Sequence, residues 1–147
     1  MSLPYDSFDQ TEGSGWRALE RRGCTAEAAI LIQRYLISRD SQSRILRWHL
    51  AQMYAFSGDA SKAIQAATAS LNPDEARQFP EFHWNDYVNA TIAFLQRDRP
   101  SFDAAKEKLR KATKIDPINQ PNLSILEKLE ACFQKPYKDA YDCKTES

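Results

Sequence analysis

The stretch "RWHLAQMYAFSGDASKAIQAATASL", residues 47–71, decides the fold. Its first half is rich in large apolar side chains, and its second half is rich in alanine. Across residues 44–57 the large apolar residues recur mostly every three or four positions: Ile45, Leu46, Trp48, Leu50, Met53, Tyr54 and Phe56. This spacing is typical of a helix that packs on more than one side, so we expect a helix over 44–57.

Gly58 and Asp59 predict a turn directly after this helix. Glycine readily takes the conformation that ends a helix, and aspartate is a good N-cap for the next one. The second helix then stops at Asn72-Pro73. Small residues on it allow a neighbouring helix to come close: Ala63, Ala66 and Ala67. The stretch therefore predicts two helices folded into a hairpin.

An internal repeat extends this hairpin toward the N-terminus. Gly23 and Gly58 are 35 positions apart (58 − 23 = 35). The same offset relates four further pairs: Leu19 and Tyr54, Ala28 and Ala63, Ala29 and Ile64, Leu36 and Leu71. Thr25 caps a helix that runs to about Ile37. A period of this length indicates stacked supersecondary units.

A third hairpin follows with less regular spacing. Residues 84–97, "WNDYVNATIAFLQR", have helical periodicity, and Ser101 is a plausible cap for a helix that runs to Asp116-Pro117. Aligning Ala105 with Ala63 gives an offset of 42 (105 − 63 = 42). This copy is therefore expected to carry insertions, one within 78–83 and one at Arg99-Pro100.

The last predicted helix is "NLSILEKLEACF", residues 122–133, and Pro136 interrupts it. Phe133, Tyr137 and Tyr141 remain four residues apart across that proline, which predicts a short packed extension. No segment shows the alternation of a strand, so we expect an all-α fold with about seven helices. The predicted organisation is a flexible segment over 1–15, a helical domain over 16–135, and an extension over 136–147 that is partly packed and then disordered.

The totals exclude several classes of function. Twenty basic residues balance twenty acidic ones, so no net field favours nucleic acid or an anionic membrane as a partner. No run approaches the roughly 20 apolar residues of a membrane helix, and the polar N-terminus does not resemble a signal peptide. Cys24, Cys132 and Cys143 are odd in number and lack C-x-x-C spacing. They indicate reduced thiols in the cytoplasm rather than a disulfide framework or a zinc site.

The middle hairpin resembles the tetratricopeptide repeat, a helix-turn-helix of 34 residues. The matching residues are Trp48, Leu50, Ala51, Tyr54, Gly58, Ala63, Ile64, Leu71 and Pro73. The neighbouring copies match at Leu19, Gly23, Ala28 and Leu36, and at Phe102, Ala105, Leu109, Ala112, Ile115, Asp116 and Pro117. The resemblance covers about residues 16–117. It implies a right-handed superhelix of about three repeats, and helix 122–133 would cap it.

A fainter likeness involves the C-terminal part of the chain. The segments "ATIAFLQRDR" and "CFQKPYKDAY" are similar to small uncharacterised bacterial proteins of the same type. This likeness implies no function.

The residues that could carry chemistry form no known arrangement. His49 and His83 lack the neighbouring ligands that a metal site needs, and Cys24 lacks the signature of a nucleophilic cysteine. We therefore predict no catalytic residue, no metal and no cofactor. The basic clusters at 17–22 and 96–100 are read as solvated faces, with contact to an acidic partner peptide as the alternative.

The family resemblance implies a concave groove that holds a partner peptide or helix. Carried onto this sequence, the groove residues are Arg17, Arg21, Trp48, His49, Gln52, Phe56, Asn85, Val88 and Asn89. An aromatic and amide-lined groove suits an apolar or mixed segment with a buried anchor. Two alternatives stay open: Trp48 and Val88 pack against adjacent helices, or the C-terminal tail fills the groove.

Three hypotheses of function follow. The first is a non-enzymatic adaptor or chaperone-like module that binds a protein or peptide in the groove. The second is an assembly subunit, or an inhibitory or immunity-type protein, that binds one partner through convex or terminal surfaces. The third is a small enzyme, which no motif supports. The sequence does not indicate an oligomeric state.

Overall fold

The computed structural model describes residues 44–144, which divide into two compact units between Ser70 and Leu71. Across this range the regular elements are seven α-helices and one 3-10 helix, with no strand. The prediction of an all-α fold is therefore confirmed for the part of the chain that the structure describes.

Unit 1 contributes one helix hairpin to the described residues. Helix α1 spans Arg44–Phe56 and helix α2 spans Ala60–Ala69, and the two pack against each other. The three alanines expected at the close approach are all buried: Ala63, Ala66 and Ala67. Leu50, Met53 and Tyr54 of α1 are buried as well. The predicted hairpin over 44–71 is confirmed.

Unit 2 contains the remaining helices. They are α3 (Glu75–Gln78), α4 (Trp84–Leu95), α5 (Arg99–Ile115), a 3-10 helix (Pro117–Asn119), α6 (Gln120–Ala131) and α7 (Tyr137–Tyr141). Helices α4 and α5 form the second hairpin, α6 packs against both of them, and α7 packs against α6. The short α3 lies in the connection where an insertion was predicted.

Both hairpins use the same turn of three residues, 57–59 and 96–98. The middle residue has positive φ in each case, 87° at Gly58 and 59° at Arg97. The main-chain hydrogen bonds of the two turns correspond at an offset of 39 residues (97 − 58 = 39). In the first turn, the N–H groups of Ser57, Gly58 and Asp59 donate to the carbonyls of Met53, Ala55 and Tyr54, respectively. In the second turn, the N–H groups of Gln96, Arg97 and Asp98 donate to the carbonyls of Ile92, Phe94 and Ala93, respectively. An arginine thus takes the position of the turn glycine.

The N-caps of the two second helices also correspond. The Asp59 carboxylate accepts from the Lys62 N–H at 3.1 Å, which confirms the predicted cap of α2. The Asp98 carboxylate accepts from the Ser101 N–H at 3.2 Å, so Asp98 caps α5 and the predicted cap at Ser101 was wrong. Proline at the second position of α5 is compatible with this start, because an N–H in the first turn of a helix has no carbonyl partner within the helix.

The matching turns correct the predicted alignment of the hairpins. The Ala63 N–H donates to the Asp59 carbonyl, and the Phe102 N–H donates to the Asp98 carbonyl, both at 3.0 Å. Phe102 therefore corresponds to Ala63, whereas the sequence alignment had paired Ala105 with it. Because the two connections have equal length, the predicted insertion at Arg99-Pro100 is absent.

Aromatic rings form the core of unit 2 near its C-terminal end. The Phe94 ring lies in edge contact with Phe133 and Tyr137, at centroid distances of 5.2 and 6.1 Å. The Phe102 ring contacts Phe133 at 5.2 Å. Tyr137 is buried, so α7 packs onto the core of unit 2.

The expectation of three reduced thiols was wrong for two of them. Cys132 and Cys143 are joined by a disulfide that ties the end of α6 to the residue two positions after α7. Their sequence separation of 11 residues matches no familiar short motif, so counting cysteines did not reveal the pair. Cys24 lies outside the described residues.

No helix within residues 44–144 is both long enough and apolar enough to cross a bilayer.

Candidate functional site

The predicted groove residues are distributed over three parts of the chain. Arg17 and Arg21 lie outside the described residues, as does the basic cluster at 17–22. Four residues lie on α1 in unit 1, namely Trp48, His49, Gln52 and Phe56, and three lie on α4 in unit 2, namely Asn85, Val88 and Asn89. Each unit is therefore considered by itself.

On α1 the predicted residues differ in accessibility. Trp48 is only 5% exposed, whereas His49, Gln52 and Phe56 are half-buried. A side chain as buried as Trp48 contributes mainly to packing, which agrees with the alternative that was left open for it. The half-buried residues have surface that a partner can reach.

On α4 the three predicted residues have three different environments. Val88 is completely buried, so its side chain belongs to the core of unit 2. Asn85 is half-buried and Asn89 is exposed. Only Asn89 therefore presents a largely accessible side chain on this helix.

The Asn85 side chain is engaged within the chain. Its Oδ1 accepts from the Asn72 N–H at 2.8 Å, and its Nδ2 donates to the Asn72 carbonyl at 2.7 Å. Its own N–H donates to the Glu75 carboxylate at 2.7 Å. These bonds hold the start of the α2–α4 connection against the first turn of α4, so Asn85 acts as a structural residue here.

A second asparagine, Asn119, holds the other end of the same connection. It is completely buried. Its Oδ1 accepts from the His83 N–H at 2.8 Å, and its Nδ2 donates to the carbonyls of Glu81 at 2.8 Å and Asp116 at 3.3 Å. Residues 81–83 are thereby fixed beside the α5–α6 connection. Sequence inspection missed this residue because an isolated asparagine carries no pattern that predicts a partner 36 positions away.

Two large apolar side chains remain exposed on the segments that Asn119 joins. Phe79 is 53% exposed and Ile118 is 54% exposed. Phe79 lies two residues before Glu81, and Ile118 directly precedes Asn119. We call Phe79, Ile118 and the hollow beside Phe79 the connection surface.

The hollow beside Phe79 has a volume of about 140 Å³ and is lined by Glu75, Ala76, Phe79, Pro80, Phe82 and His83. Its walls are mostly apolar, with one carboxylate. Burial raises the pKa of Glu75 above its ordinary value, while the N–H of Asn85 acts in the opposite direction. The hollow is large enough for one apolar side chain.

Carboxylates predominate around the connection surface. Residues 72–86 contain Asp74, Glu75, Glu81 and Asp86 against a single arginine, Arg77. Arg77 pairs with Asp74 at 3.4 Å, and the His83 Nδ1 lies 2.9 Å from the Asp86 carboxylate. Glu81 has an exposed side chain. Residues 72–86 therefore carry a formal charge of −3 (1 − 4, with His83 neutral), although the chain is neutral overall.

The basic cluster at 96–100 makes contacts within unit 2. The Arg97 guanidinium lies 4.8 Å from the centroid of the Phe94 ring and donates to the Phe133 carbonyl at 2.6 Å. Arg99 lies 5.1 Å from the Phe133 ring centroid and pairs with Asp103 at 2.8 Å. These contacts agree with the prediction of a solvated face whose cations pack along apolar groups.

Among residues 44–144, no group of three histidine, cysteine, aspartate or glutamate side chains is placed to hold a metal ion. The pairing of His83 with Asp86 stabilises the first turn of α4, where a carboxylate also complements the helix dipole.

Comparisons with protein-family models, curated proteins and solved structures gave no match to this chain.

Proposed function

We propose that this chain is a tetratricopeptide-like helical-repeat protein that binds a partner protein and performs no catalysis. The repeat is supported by the turns of the two hairpins, which share their length, their positive φ, their hydrogen bonds and their aspartate cap. In this proposal the hairpins stack as a right-handed superhelix, and α6 covers the last of them.

The connection surface carries the proposal of partner binding. Its backbone is fixed by the amides of Asn85 and Asn119, yet Phe79 and Ile118 are left largely exposed. A rigid segment with apolar side chains exposed loses little conformational entropy when it binds. This observation favours binding through a surface outside the predicted groove, as in the second hypothesis, over binding through Trp48 and Val88.

The partner that fits this surface is a protein segment with an apolar side chain flanked by basic residues. The apolar side chain would enter the hollow of about 140 Å³. Lysine or arginine beside it would complement Glu75 and Glu81, and such complementarity contributes to specificity and to the association rate. A nucleic acid, which is an anion, would be repelled by the same carboxylates.

Site-specific photo-cross-linking in the native cell tests this proposal. A benzophenone amino acid at position 79 should give one discrete protein adduct, and the cross-linked peptide should combine apolar and basic residues. The same probe at Lys108, an exposed residue of α5, serves as the matched control and should not give this adduct. An adduct that forms equally from both positions, an acidic cross-linked peptide, or a second copy of this chain would contradict the proposal.

A second candidate surface is the predicted groove face of α4 in unit 2, through Asn89. The exposure of Asn89 favours it. Asn89→Glu should abolish the adduct from position 79 only if the partner extends along α4, so this variant separates the two surfaces.

The proposed compartment remains the cytoplasm, now together with a redox role for Cys132 and Cys143. Disulfides of cytosolic proteins are usually transient and catalytic or redox-sensing, whereas structural disulfides belong to oxidising compartments. A cytoplasmic location therefore requires that this disulfide can be opened by cellular thiols.

A further inference from the structure

The disulfide lies at the edge of a cleft in unit 2. This cleft has a volume of about 490 Å³ and is lined by Arg99, Glu130, Ala131, Cys132, Phe133, Gln134 and Lys135. Its volume falls within the range of roughly 300–1,000 Å³ that is usual for small-molecule sites. Cys132 belongs to the lining and Cys143 does not. A molecule in the cleft therefore contacts Cys132 and not Cys143.

The charges around the cleft suit a small anionic thiol that also carries an ammonium group. Arg99 and Lys135 are its cationic lining residues, and Glu130 is its carboxylate. Glu130 also lies 3.1 Å from Lys106, and Asp103 lies 2.8 Å from Arg99. These five groups sum to one positive charge. Glutathione, with two carboxylates and one ammonium group, has the complementary pattern.

The position of Cys132 also determines which sulfur leaves. Cys132 is the C-cap of α6, and the C-terminal end of a helix carries partial negative charge that disfavours a thiolate. Cys143 also follows the C-terminal end of a helix, but α7 has only five residues and aligns fewer peptide dipoles than the 12 residues of α6. In disulfide exchange the better-stabilised thiolate departs more readily. Attack at Cys132 with departure of Cys143 is therefore favoured by both access and charge.

We propose that Cys132 is a site of reversible glutathionylation through exchange with the Cys132–Cys143 disulfide. The glutathione thiolate attacks Sγ of Cys132 and forms a new S–S bond while the bond to Cys143 breaks. The electron pair leaves with the Cys143 sulfur, which takes a proton from water. A second glutathione thiolate then releases Cys132 as a thiolate and forms glutathione disulfide. Overall, the protein disulfide gains two electrons that two glutathione molecules supply.

Exchange opens the end of the chain without removing α7 from the core. Tyr137 and Ala140 are buried, and Tyr137 contacts the ring of Phe94. This burial holds α7 in place when the covalent link is broken. The expected change is therefore confined to the residues after Tyr141, and the cleft gains a bound tripeptide.

The first test determines which cysteine carries glutathione. The full chain with Cys24→Ser, in its oxidised form, is mixed with reduced glutathione and quenched with acid at successive times. Peptide mass spectrometry should find the mixed disulfide on Cys132. Glutathione found on Cys143, or no mixed disulfide at any time, would overturn the proposal.

The second test asks whether the cleft recognises the charge of the thiol. Lys135→Glu should slow exchange with glutathione by about three- to ten-fold at low ionic strength, and salt should reduce this effect. The same variant should leave exchange with neutral 2-mercaptoethanol unchanged. Lys138→Glu, on α7 and outside the lining, is the matched control and should affect neither rate. Equal effects of both variants, or an effect on both thiols, would contradict recognition in the cleft.

Discussion

The two ends of unit 2 hold their chain segments by different means. At one end, the side chains of Asn85 and Asn119 bind the main chain of residues 72–83 through hydrogen bonds. At the other end, Phe133 and the buried Tyr137 pack against the ring of Phe94, and a disulfide closes the segment after α7.

The difference explains why only one end exposes large apolar side chains. At the C-terminal end the apolar side chains contact one another, and this contact stabilises the fold. Amide hydrogen bonds fix the connection through its main chain, so Phe79 and Ile118 are not needed for packing. We infer that the amide-held end is the one adapted to bind a partner, and the following predictions test this division in order of expected effect on stability.

Removal of the central ring should have the largest effect. Phe94 is completely buried and contacts Phe102, Phe133 and Tyr137. Phe94→Ala should lower the free energy of unfolding by about 3–5 kcal/mol because it removes apolar contacts and leaves a cavity. Urea denaturation measures this change. A loss below about 1 kcal/mol would show that the rings do not form the core described here.

Loss of the disulfide should come next. Replacing both Cys132 and Cys143 by serine removes a cross-link between residues 11 positions apart. In the loop-closure model this should lower the free energy of unfolding by about 3 kcal/mol. Reductant should destabilise the wild-type chain by a similar amount and leave the double-serine variant unchanged. If reductant acts on both chains alike, the stabilisation does not come from this bond.

At the amide-held end, Asn119→Ala should lower the free energy of unfolding by about 2–3 kcal/mol. The reason is that the His83 N–H and the Glu81 carbonyl each lose a hydrogen-bond partner. Reductant should not alter this loss. Amide hydrogen exchange should become faster at His83. The matched control is Asn89→Ala on the exposed face of α4, for which a change within about 0.5 kcal/mol is expected.

Alkaline pH should destabilise unit 2 through Tyr87. Burial raises the pKa of Tyr87 well above 10, with Tyr137 and Tyr141 adding to the effect. Because the folded-state pKa is the higher one, Tyr87 favours the folded state fully below pH 10. That contribution falls by about 1.4 kcal/mol per pH unit as the pH rises between the two pKa values. Tyr87→Phe should flatten the stability profile above pH 10; an unchanged slope would exclude Tyr87 as its cause.

Phe79→Ser and Ile118→Ser should have the smallest effect, a change within about 0.5 kcal/mol, because both side chains are already largely exposed. Thermal or urea denaturation measures it. A loss of 2 kcal/mol or more, the size that a buried apolar side chain gives, would mean that these residues support the fold rather than a partner.

The helices and their caps could be predicted from the sequence better than the contacts of the connecting segments. Local spacing and local caps gave α1, the Gly58 turn and the Asp59 cap, since these depend on residues only a few positions apart. Arg97 was missed because a side chain with contacts to Phe94 and Phe133 stabilises a backbone conformation that glycine usually adopts. Asn119, Asn85 and the disulfide depend on partners between 11 and 38 positions away, which no local pattern reveals.

The candidate site was predictable only in part. The groove residues came from the family resemblance, which gives the face of a helix but not the burial of each side chain. Val88 turned inward because α4 is covered by both α5 and α6. Phe79 was noticed only within a predicted insertion, because exposure depends on whether a neighbouring element covers the side chain.

The most direct test is a titration of the cross-linked partner segment against three forms of the full chain. We predict that Phe79→Glu weakens binding by at least about ten-fold, since it removes an apolar anchor and adds a charge to an acidic surface. Asn89→Glu should bind within about two-fold of the wild type. The opposite pattern, with binding lost in Asn89→Glu and retained in Phe79→Glu, would contradict the connection surface and place the partner in the groove.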